Sequence, residues 1–269
     1  MSVGTTSSAG AKQARQAREA DRARRSRIGV FDVIRGFSVV SMVLFHLCYD
    51  LKFLAGVSLP WFAPPFQDVW RASISWTFLV VAGCMCPLSR SNLKRACQYG
   101  AVAVAIFAVT SLAAVDTPIS FGIIYCMAAC TLVAWAFQRL GILPHGYVAA
   151  GMLLVGFLAL QGLARGSLGL GPLQAEVPRF LYDSGLLAWL GLPGPAFSSG
   201  DYYPLLPYLL LFLAGAALGT SWKERGYPGW ALRVHVPGLT LVGQHALVVY
   251  VAHQPVLLAI AYLAAAVTS

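Results

Sequence analysis

The sequence predicts an all-α protein, a polytopic bundle of about seven transmembrane helices with a cytoplasmic N-terminus. Only 11% of its 269 residues are charged and 58% are hydrophobic, whereas an ordinary soluble domain has about 25% charged residues. The apolar runs are long and unbroken rather than alternating, which argues against an outer-membrane barrel. Composition therefore excludes a soluble cytosolic enzyme, a nucleic-acid-binding protein and a disordered chain.

Residues 1–27 form a basic segment, which we expect to be a flexible cytoplasmic tail. The segment has seven Lys and Arg residues against Glu19 and Asp21. A basic tail can bind nucleic acid, but beside a membrane span it is more typical of a topology anchor that contacts anionic lipid head groups. No small-residue cleavage site follows the first apolar run, so the segment does not read as a signal peptide.

Seven apolar stretches approach the length of about 20 residues that a membrane-spanning helix needs. The first follows the basic tail directly, and the last ends near the C-terminus. Their predicted bounds are 29–53, 71–88, 96–115, 119–137, 147–163, 203–222 and 239–267.

The orientation follows from the positive charges of the loops. With the N-terminus in the cytoplasm, the cytoplasmic side carries 14 Lys and Arg residues and the opposite side carries four. Such an excess is typical of cytoplasmic loops. The C-terminus is then on the outer side, together with the long Gly- and Pro-rich loop 164–202, which we expect to form an ordered lid or a re-entrant segment.

The first span carries most of the ionisable residues at membrane depth. Each such charge costs about 2.5–3.5 kcal/mol or more, which makes it a functional candidate. At about 100° per residue, Asp32, Arg35, His46, Tyr49 and Asp50 share one face of the helix. Arg35 and His46 are about 16 Å apart along the axis and mark two points of one polar path.

The spacing within that face suggests two pairs and a chemical role. Asp32 can pair with Arg35, and His46 can pair with Asp50, one helical turn away. A carboxylate beside an imidazole holds its tautomer and raises its basicity, as a general base or an acyl carrier requires. The alternatives are a buried polar network that pins the helix, a proton-coupled transporter that uses the same residues as a relay, and a non-catalytic membrane partner.

Two further regions carry polar residues near or inside the membrane. In the last span, His253 and Gln254 precede Pro255, and a polar kink at this depth either lines a cavity or makes a hydrogen bond between helices. Before the sixth span, Asp201 and Tyr202 precede a helix opened by Pro. Asp201 suits the N-cap of that helix, but an acid and an aromatic residue there also suit a sugar.

Five blocks of sequence, taken in order, resemble a known family. They match small bacterial membrane proteins related to the catalytic domain of heparan-α-glucosaminide N-acetyltransferase, within the broader transmembrane acyltransferases. The resemblance covers about residues 27–260. The blocks are Phe31-Asp32-x₂-Arg35-Gly36-x₅-Met42-x₃-His46-x₃-Asp50-Leu51, Val81-Ala82-Gly83, Phe121-Gly122-Ile123, Asp201-Tyr202-Tyr203-Pro204-Leu205-Leu206-Pro207, and Gly243-x-His245-Ala246-Leu247 continuing to His253-Gln254-Pro255-Val256.

The resemblance implies an integral membrane enzyme, expected in a bacterial inner membrane, with residues 28–269 as its acyltransferase-like domain. Such an enzyme moves an acyl group, usually acetyl from cytosolic acetyl-CoA, to a sugar or glycan acceptor on the far side. In the longer eukaryotic members an Asn stands at the place of His46 and the essential His follows in the first luminal loop, but the corresponding loop here, 51–70, has no His. The resemblance implies that His46 is the catalytic His, that Arg35 and Asp32 are polar anchors of the acyl-donor tunnel, and that Asp201 and His253 line the cavity. Together with the polar residues of the spans, this gives the expected sites. The expected catalytic residues are His46, Asp50 and Arg35, and the expected substrate-binding residues are Asp32, Tyr49, Asp201, Tyr202, His253 and Gln254.

The acyl donor is expected to bind at the cytoplasmic side of the membrane. The phosphates of acetyl-CoA would rest on basic residues of the cytoplasmic side, although a topology signal is the better explanation for any single one of these residues. Membrane lipids, an acyl-CoA and a glycan are the expected partners. Neither a metal nor a nucleic acid is expected, and a homo-oligomer is left open. The basic residues are Arg90, Lys94, Arg95, Lys223 and Arg225.

Overall fold

The computed structural model describes residues 28–114 and 116–268, and this part of the chain is a bundle of α-helices with one small β-hairpin. The basic segment 1–27 lies outside the described residues. We number the elements in chain order. They are α1 (Gly29–Phe53), α2 (Phe66–Cys84), α3 (Asn92–Ala113), α4 (Ile123–Arg139), α5 (Tyr147–Ala159), β1 (Ser167–Leu170), β2 (Leu173–Glu176), α6 (Leu205–Arg225), α7 (Gly229–Arg233), α8 (Pro237–Gln244) and α9 (Ala246–Thr268).

Among the described helices, six are long and apolar enough to cross a membrane. The helix α4 is apolar but has 17 residues, fewer than any of these six spans. The all-α polytopic fold is therefore confirmed, while the count of seven spans and the cytoplasmic N-terminus stay predictions. The six are Gly29–Phe53, Phe66–Leu88, Asn92–Ala113, Tyr147–Arg165, Leu205–Arg225 and Ala246–Ala266.

The helix α1 has the bounds predicted for the first span, and its polar face is the buried one. Asp32 and Asp50 are buried on the side that also carries Val39 and Met42, whereas Phe37 on another side is 65% exposed. In a bilayer, lipid tails solvate such an apolar side chain as well as protein does. The polar stripe therefore faces other helices rather than lipid.

The last predicted span, 239–267, was wrong as a single helix, because the chain breaks at His245 into α8 and α9. The helix α8 lies so close to α1 that only glycine fits at the contact. A Cβ atom on Gly243 would overlap the carbonyl oxygen of Asp32, and one on Gly36 would overlap the carbonyl oxygen of Leu239. Small residues of this kind let two helix backbones approach closely in a membrane.

A second close contact joins α2 to α6 in the centre of the bundle. A Cβ atom on Gly83 would overlap the carbonyl oxygen of Phe212, and one on Gly215 would overlap that of Val80. The principal buried cluster surrounds this contact and includes Leu79 of α2. These two helices form the rigid centre against which α1, α4 and α5 pack.

The bundle has two faces, which we name after the ends of α1. At the Gly29 face, Lys223 at the end of α6 donates to the carbonyl of Pro87, just after α2. At the Phe53 face, Lys52 donates to the carbonyl of Phe62 in the next loop. Successive connections thus alternate between the two faces, as spans of a membrane bundle require.

The segment 160–204 between α5 and α6, which we call the lid, lies at the Phe53 face and packs on Leu206 at the start of α6. Its two strands pair antiparallel with Ser167 opposite Glu176. Two phenols make hydrogen bonds within the segment: Tyr182 donates to the carbonyl of Leu163 and Tyr202 donates to that of Ala188, each at 2.6 Å. The long loop is therefore a folded unit.

Candidate functional site

The polar face of α1 meets α9 in a contact that we call the α1–α9 seam, formed by His46, Asp50, Tyr250, His253 and Gln254. The seam lies toward the Phe53 face. The amide nitrogen Nε2 of Gln254 donates to the carboxylate of Asp50, 3.1 Å from Oδ2 and 3.3 Å from Oδ1. The imidazole rings of His46 and His253 have their centroids 5.1 Å apart. Four of the predicted site residues thus come together, from opposite ends of the chain.

The predicted pair of His46 and Asp50 was wrong. Asp50 is 1% exposed, and its carboxylate is bound by Gln254 instead. The ring of His46 is half-buried and makes no hydrogen bond with any described residue. Helical spacing permitted the pair, but a buried carboxylate needs a hydrogen-bond donor, and the amide from α9 supplies it.

The side chain of His253 is bound through one ring nitrogen and not through the other. Its Nδ1 lies 2.5 Å from the carbonyl oxygen of Tyr250. Its Nε2 is buried and has no partner in the described part of the chain, and the same is true of Oε1 of Gln254. Buried polar atoms almost always have hydrogen-bond partners, so these two atoms make the seam a candidate binding place.

The sequence analysis missed two residues, Tyr250 within the seam and Asp116 beside it. The phenol of Tyr49 lies beside the carboxylates of Asp116 and Asp50. Asp116 belongs to the connection between α3 and α4, where an isolated acid gives no sequence signal. Tyr250 packs its ring 5.5 Å from that of His253, and it reads as an ordinary apolar residue in the sequence of a span.

The other end of the polar face lies near the Gly29 face and has the predicted ion pair. Arg35 Nη2 is 3.1 Å from Asp32 Oδ1, and Nε2 of Gln244 lies 3.5 Å from Asp32 Oδ2. Between this pair and His46, the buried side chains of Val39 and Met42 occupy the same side of α1. The two polar regions are therefore separated by an apolar layer.

The basic residues predicted to bind the donor all lie at the Gly29 face. Lys223 donates to the carbonyl of Pro87 at 2.8 Å, and the guanidinium of Arg225 lies 4.9 Å from the ring centroid of Tyr147. Arg95 donates to the side chain of Asn92 at 3.4 Å. Arg90 and Lys94 stand at the short turn between α2 and α3, on the same face.

The sequence predicts that Asp201 caps the helix that follows it, and this prediction is wrong. The helix α6 begins after Pro204 without a side-chain cap, whereas Oδ2 of Asp201 accepts the backbone N–H of Ile123, the first residue of α4, at 3.0 Å. A Cβ atom on Gly122 would lie 3.0 Å from the same oxygen. Burial raises the pKa of Asp201 to about 6, against the lowering effects of the Ile123 N–H and of Arg71.

The other predicted sugar ligand is also engaged in the fold. The hydroxyl of Tyr202 is bound to the carbonyl of Ala188, and burial raises its pKa to about 12. Asp201 and Tyr202 thus hold the lid and the start of α4 in place. Their predicted contact with substrate stays a prediction.

The six apolar helices of the bundle define an integral membrane protein, and its candidate site is the polar seam between two of them. The model of the family described as heparan-alpha-glucosaminide N-acetyltransferase, catalytic, matches residues 27–255. The chain therefore belongs to this family of membrane acetyltransferases, and the resemblance of its sequence blocks is confirmed. No curated protein and no solved structure gave a significant match.

Proposed function

We propose that the protein transfers an acetyl group from cytosolic acetyl-CoA to a hydroxyl or amine of a sugar or glycan on the far side of a bacterial inner membrane. The family match supports the acetyl transfer. The split of the polar residues into a basic Gly29 face and a seam near the Phe53 face supports the two-sided arrangement. In this proposal the Gly29 face is cytoplasmic.

The observation that carries the proposal is the state of His46. Its imidazole is half-buried, and no described residue occupies its ring nitrogens. A ring nitrogen that makes no hydrogen bond is available to take a proton from the acceptor or to accept the acyl group itself. Asp50, His253 and Gln254, by contrast, each make a hydrogen bond within the protein.

The donor would enter from the Gly29 face. The five cations there, at Arg90, Lys94, Arg95, Lys223 and Arg225, suit the phosphates of CoA, since a charge-assisted hydrogen bond to phosphate is strong. The pantetheine arm would pass the pair of Asp32 and Arg35 and displace the apolar contact at Val39 and Met42 to reach His46. The acceptor would approach from the Phe53 face, beneath the lid.

The test is acetyl-CoA turnover by purified protein in lipid nanodiscs. Radiolabelled acetyl-CoA is supplied with water and with glucosamine as acceptors, and free and transferred acetate are separated and counted. We expect turnover by the wild type and a loss of at least about 10²-fold in His46→Ala, the usual size of a general acid–base contribution. His235→Ala, which changes a His in the loop before α8, is the matched control and should keep the wild-type rate.

Two results would overturn the proposal. One is full turnover in His46→Ala. The other is the absence of both turnover and thermal stabilisation by acetyl-CoA in the wild type, since a ligand at 100 times its Kd stabilises the fold by about 2.7 kcal/mol. Movement of glucosamine across a vesicle membrane without covalent change would then favour a proton-coupled transporter.

A further inference from the structure

The helix α9 presents two adjacent buried polar atoms that have no hydrogen-bond partner within residues 28–114 and 116–268. They are Nε2 of His253 and Oε1 of Gln254, and both belong to the α1–α9 seam. Leaving a buried polar group unsatisfied costs about 1–3 kcal/mol. A helix–helix hydrogen bond, the ordinary role of such residues in a membrane, accounts for the Nε2 of Gln254 but not for the Nε2 of His253.

The hydrogen bond on the other side of the His253 ring decides its protonation state. A carbonyl oxygen only accepts, so Nδ1 of His253 must donate to the carbonyl of Tyr250. In the neutral ring, Nε2 then has an unprotonated lone pair. This is the arrangement of a general base whose second nitrogen is held by an orienting acceptor.

Neighbouring contacts position the two imidazoles beside each other. Gln254, the residue after His253, is tied to Asp50 of α1, and the ring of His46 packs edge-on against Phe45. With centroids 5.1 Å apart and no hydrogen bond between them, the two rings lie side by side at one point of the seam. Among the described residues, neither ring nitrogen of His46 and only one of the two of His253 makes a hydrogen bond.

We propose that His253 is the catalytic base that takes the proton of the acceptor, while His46 has the second of the two roles open to it in the proposed function and carries the acetyl group. The assignment rests on the proposed function and names a second reacting residue for it. It also gives the buried lone pair of His253 a partner that is present only during the reaction.

The steps balance as follows. A ring nitrogen of neutral His46 attacks the thioester carbon, the C–S bond breaks, and CoA leaves as a thiolate that solvent protonates. His46 is then an acetyl-imidazolium, whose positive charge is one turn from the Asp50 carboxylate. The acceptor X–H attacks the acetyl carbon and gives its proton to Nε2 of His253, the bond to His46 breaks, and His46 returns neutral. His253 then releases its proton to water.

The experiment follows the label on the protein, with radiolabelled acetyl-CoA as donor, water as acceptor, and full-length protein in nanodiscs. The variant His253→Asn keeps an amide N–H for the carbonyl of Tyr250 and lacks the base. We expect it to become labelled like the wild type and to lose the label about 10²-fold more slowly, while His46→Ala is not labelled. Mass spectrometry should place the retained acetyl group on His46.

A purely structural role for His253 predicts a different pattern, because it would impair labelling and release together. Since His253→Asn could fail to fold, His253→Ala is tested with added imidazole, which fits the vacated space. We expect imidazole to restore release of the label in His253→Ala and to leave His46→Ala unlabelled.

Three outcomes would overturn the assignment, and they are distinguishable from failure of the proposed function. Release of label at the wild-type rate in His253→Asn would show that His253 is not the base. Equal loss of labelling and release in both His253 variants, without imidazole rescue, makes His253 structural. Turnover by the wild type without any label at His46 would show that His46 does not carry the acetyl group. If the wild type does not turn over acetyl-CoA at all, the proposed function fails and this assignment fails with it.

Discussion

Gln254 and Asp50, 204 residues apart in the sequence, are joined by an amide N–H that reaches both oxygens of a carboxylate buried inside the bundle. This contact fixes the register of α9 against α1. It also explains why His46 is left without the partner one turn away that its own helix offers. The chemistry of the seam therefore depends on a contact between the first and last spans.

Replacement of Gln254 by Leu should destabilise the protein by about 1–3 kcal/mol, because it leaves the buried carboxylate of Asp50 without its donor. Thermal unfolding in detergent measures the loss. The double variant with Asp50→Asn should recover part of it, since the charge is then gone. Gln244→Leu removes only a 3.5 Å contact with Asp32 and serves as the control with a smaller effect. An unchanged midpoint in Gln254→Leu contradicts the contact.

The stability of the protein should fall as the pH rises from about 4 to about 6, and Asp201 should cause part of that fall. Its pKa is about 6 in the fold and 3.8 in the unfolded chain, so the folded state binds the proton more tightly and loses that advantage as the pH rises through 6. In Asp201→Asn the amide oxygen can still accept from Ile123, and this part of the slope should vanish. Midpoints of unfolding between pH 4 and pH 7 give the slope.

The exposed lid residue Asp183 provides the matched control for that pH measurement. Asp183→Asn makes the same chemical change on the same segment, at an exposed position, and should retain the wild-type slope. Identical slopes in all three proteins would show that Asp201 does not titrate in this range.

Substitution of Gly83 or Gly215 by Ala should destabilise the bundle by about 1–3 kcal/mol, the usual cost of overpacking a tight contact. Each Cβ atom would overlap a backbone carbonyl of the partner helix, and backbone cannot move aside as a flexible side chain can. Gly100→Ala on α3 is the control, because nothing lies within 4 Å of its added Cβ. Unfolding midpoints near that of the control would mean that α2 and α6 are less closely packed than the structure has them.

Removal of the cations at the Gly29 face should weaken the binding of acetyl-CoA without slowing the acetyl transfer. Arg90→Ala and Lys94→Ala should each raise the KM for acetyl-CoA by roughly tenfold, corresponding to the loss of one charged hydrogen bond, and leave kcat unchanged. Arg165→Ala, at the opposite face, should change neither constant. If KM is unaffected in both variants, these cations act only as topology signals.

Local pattern was enough to predict α1, because an unbroken apolar run next to a basic segment defines a span by itself. The ion pair of Asp32 and Arg35 was predictable for the same reason, since it lies within one helical turn. The break at His245 was not, because the close approach that requires Gly243 involves Asp32, more than 200 positions earlier.

The remaining misses share one physical cause. Asp201 has the character of a capping residue, and it does cap a helix, but the helix is α4 rather than the one next to it in the chain. His46 and His253 each stood out as costly intramembrane residues, yet nothing local could show that their rings meet. Sequence spacing identifies which residues are unusual, and packing decides their partners.

The single non-helical residue at His245 makes a hinge between α8 and α9, so that α9 can tilt while α8 stays in place. The helix α8 is locked to α1 by the contact at Gly243, and His253 lies eight residues beyond the break, about 12 Å along α9. A tilt of about 10° at this pivot would displace His253 by roughly 2 Å while Asp32 and Arg35 stayed in place. The distance between the imidazoles of His46 and His253 is therefore the distance in the candidate site that changes most with the tilt of α9.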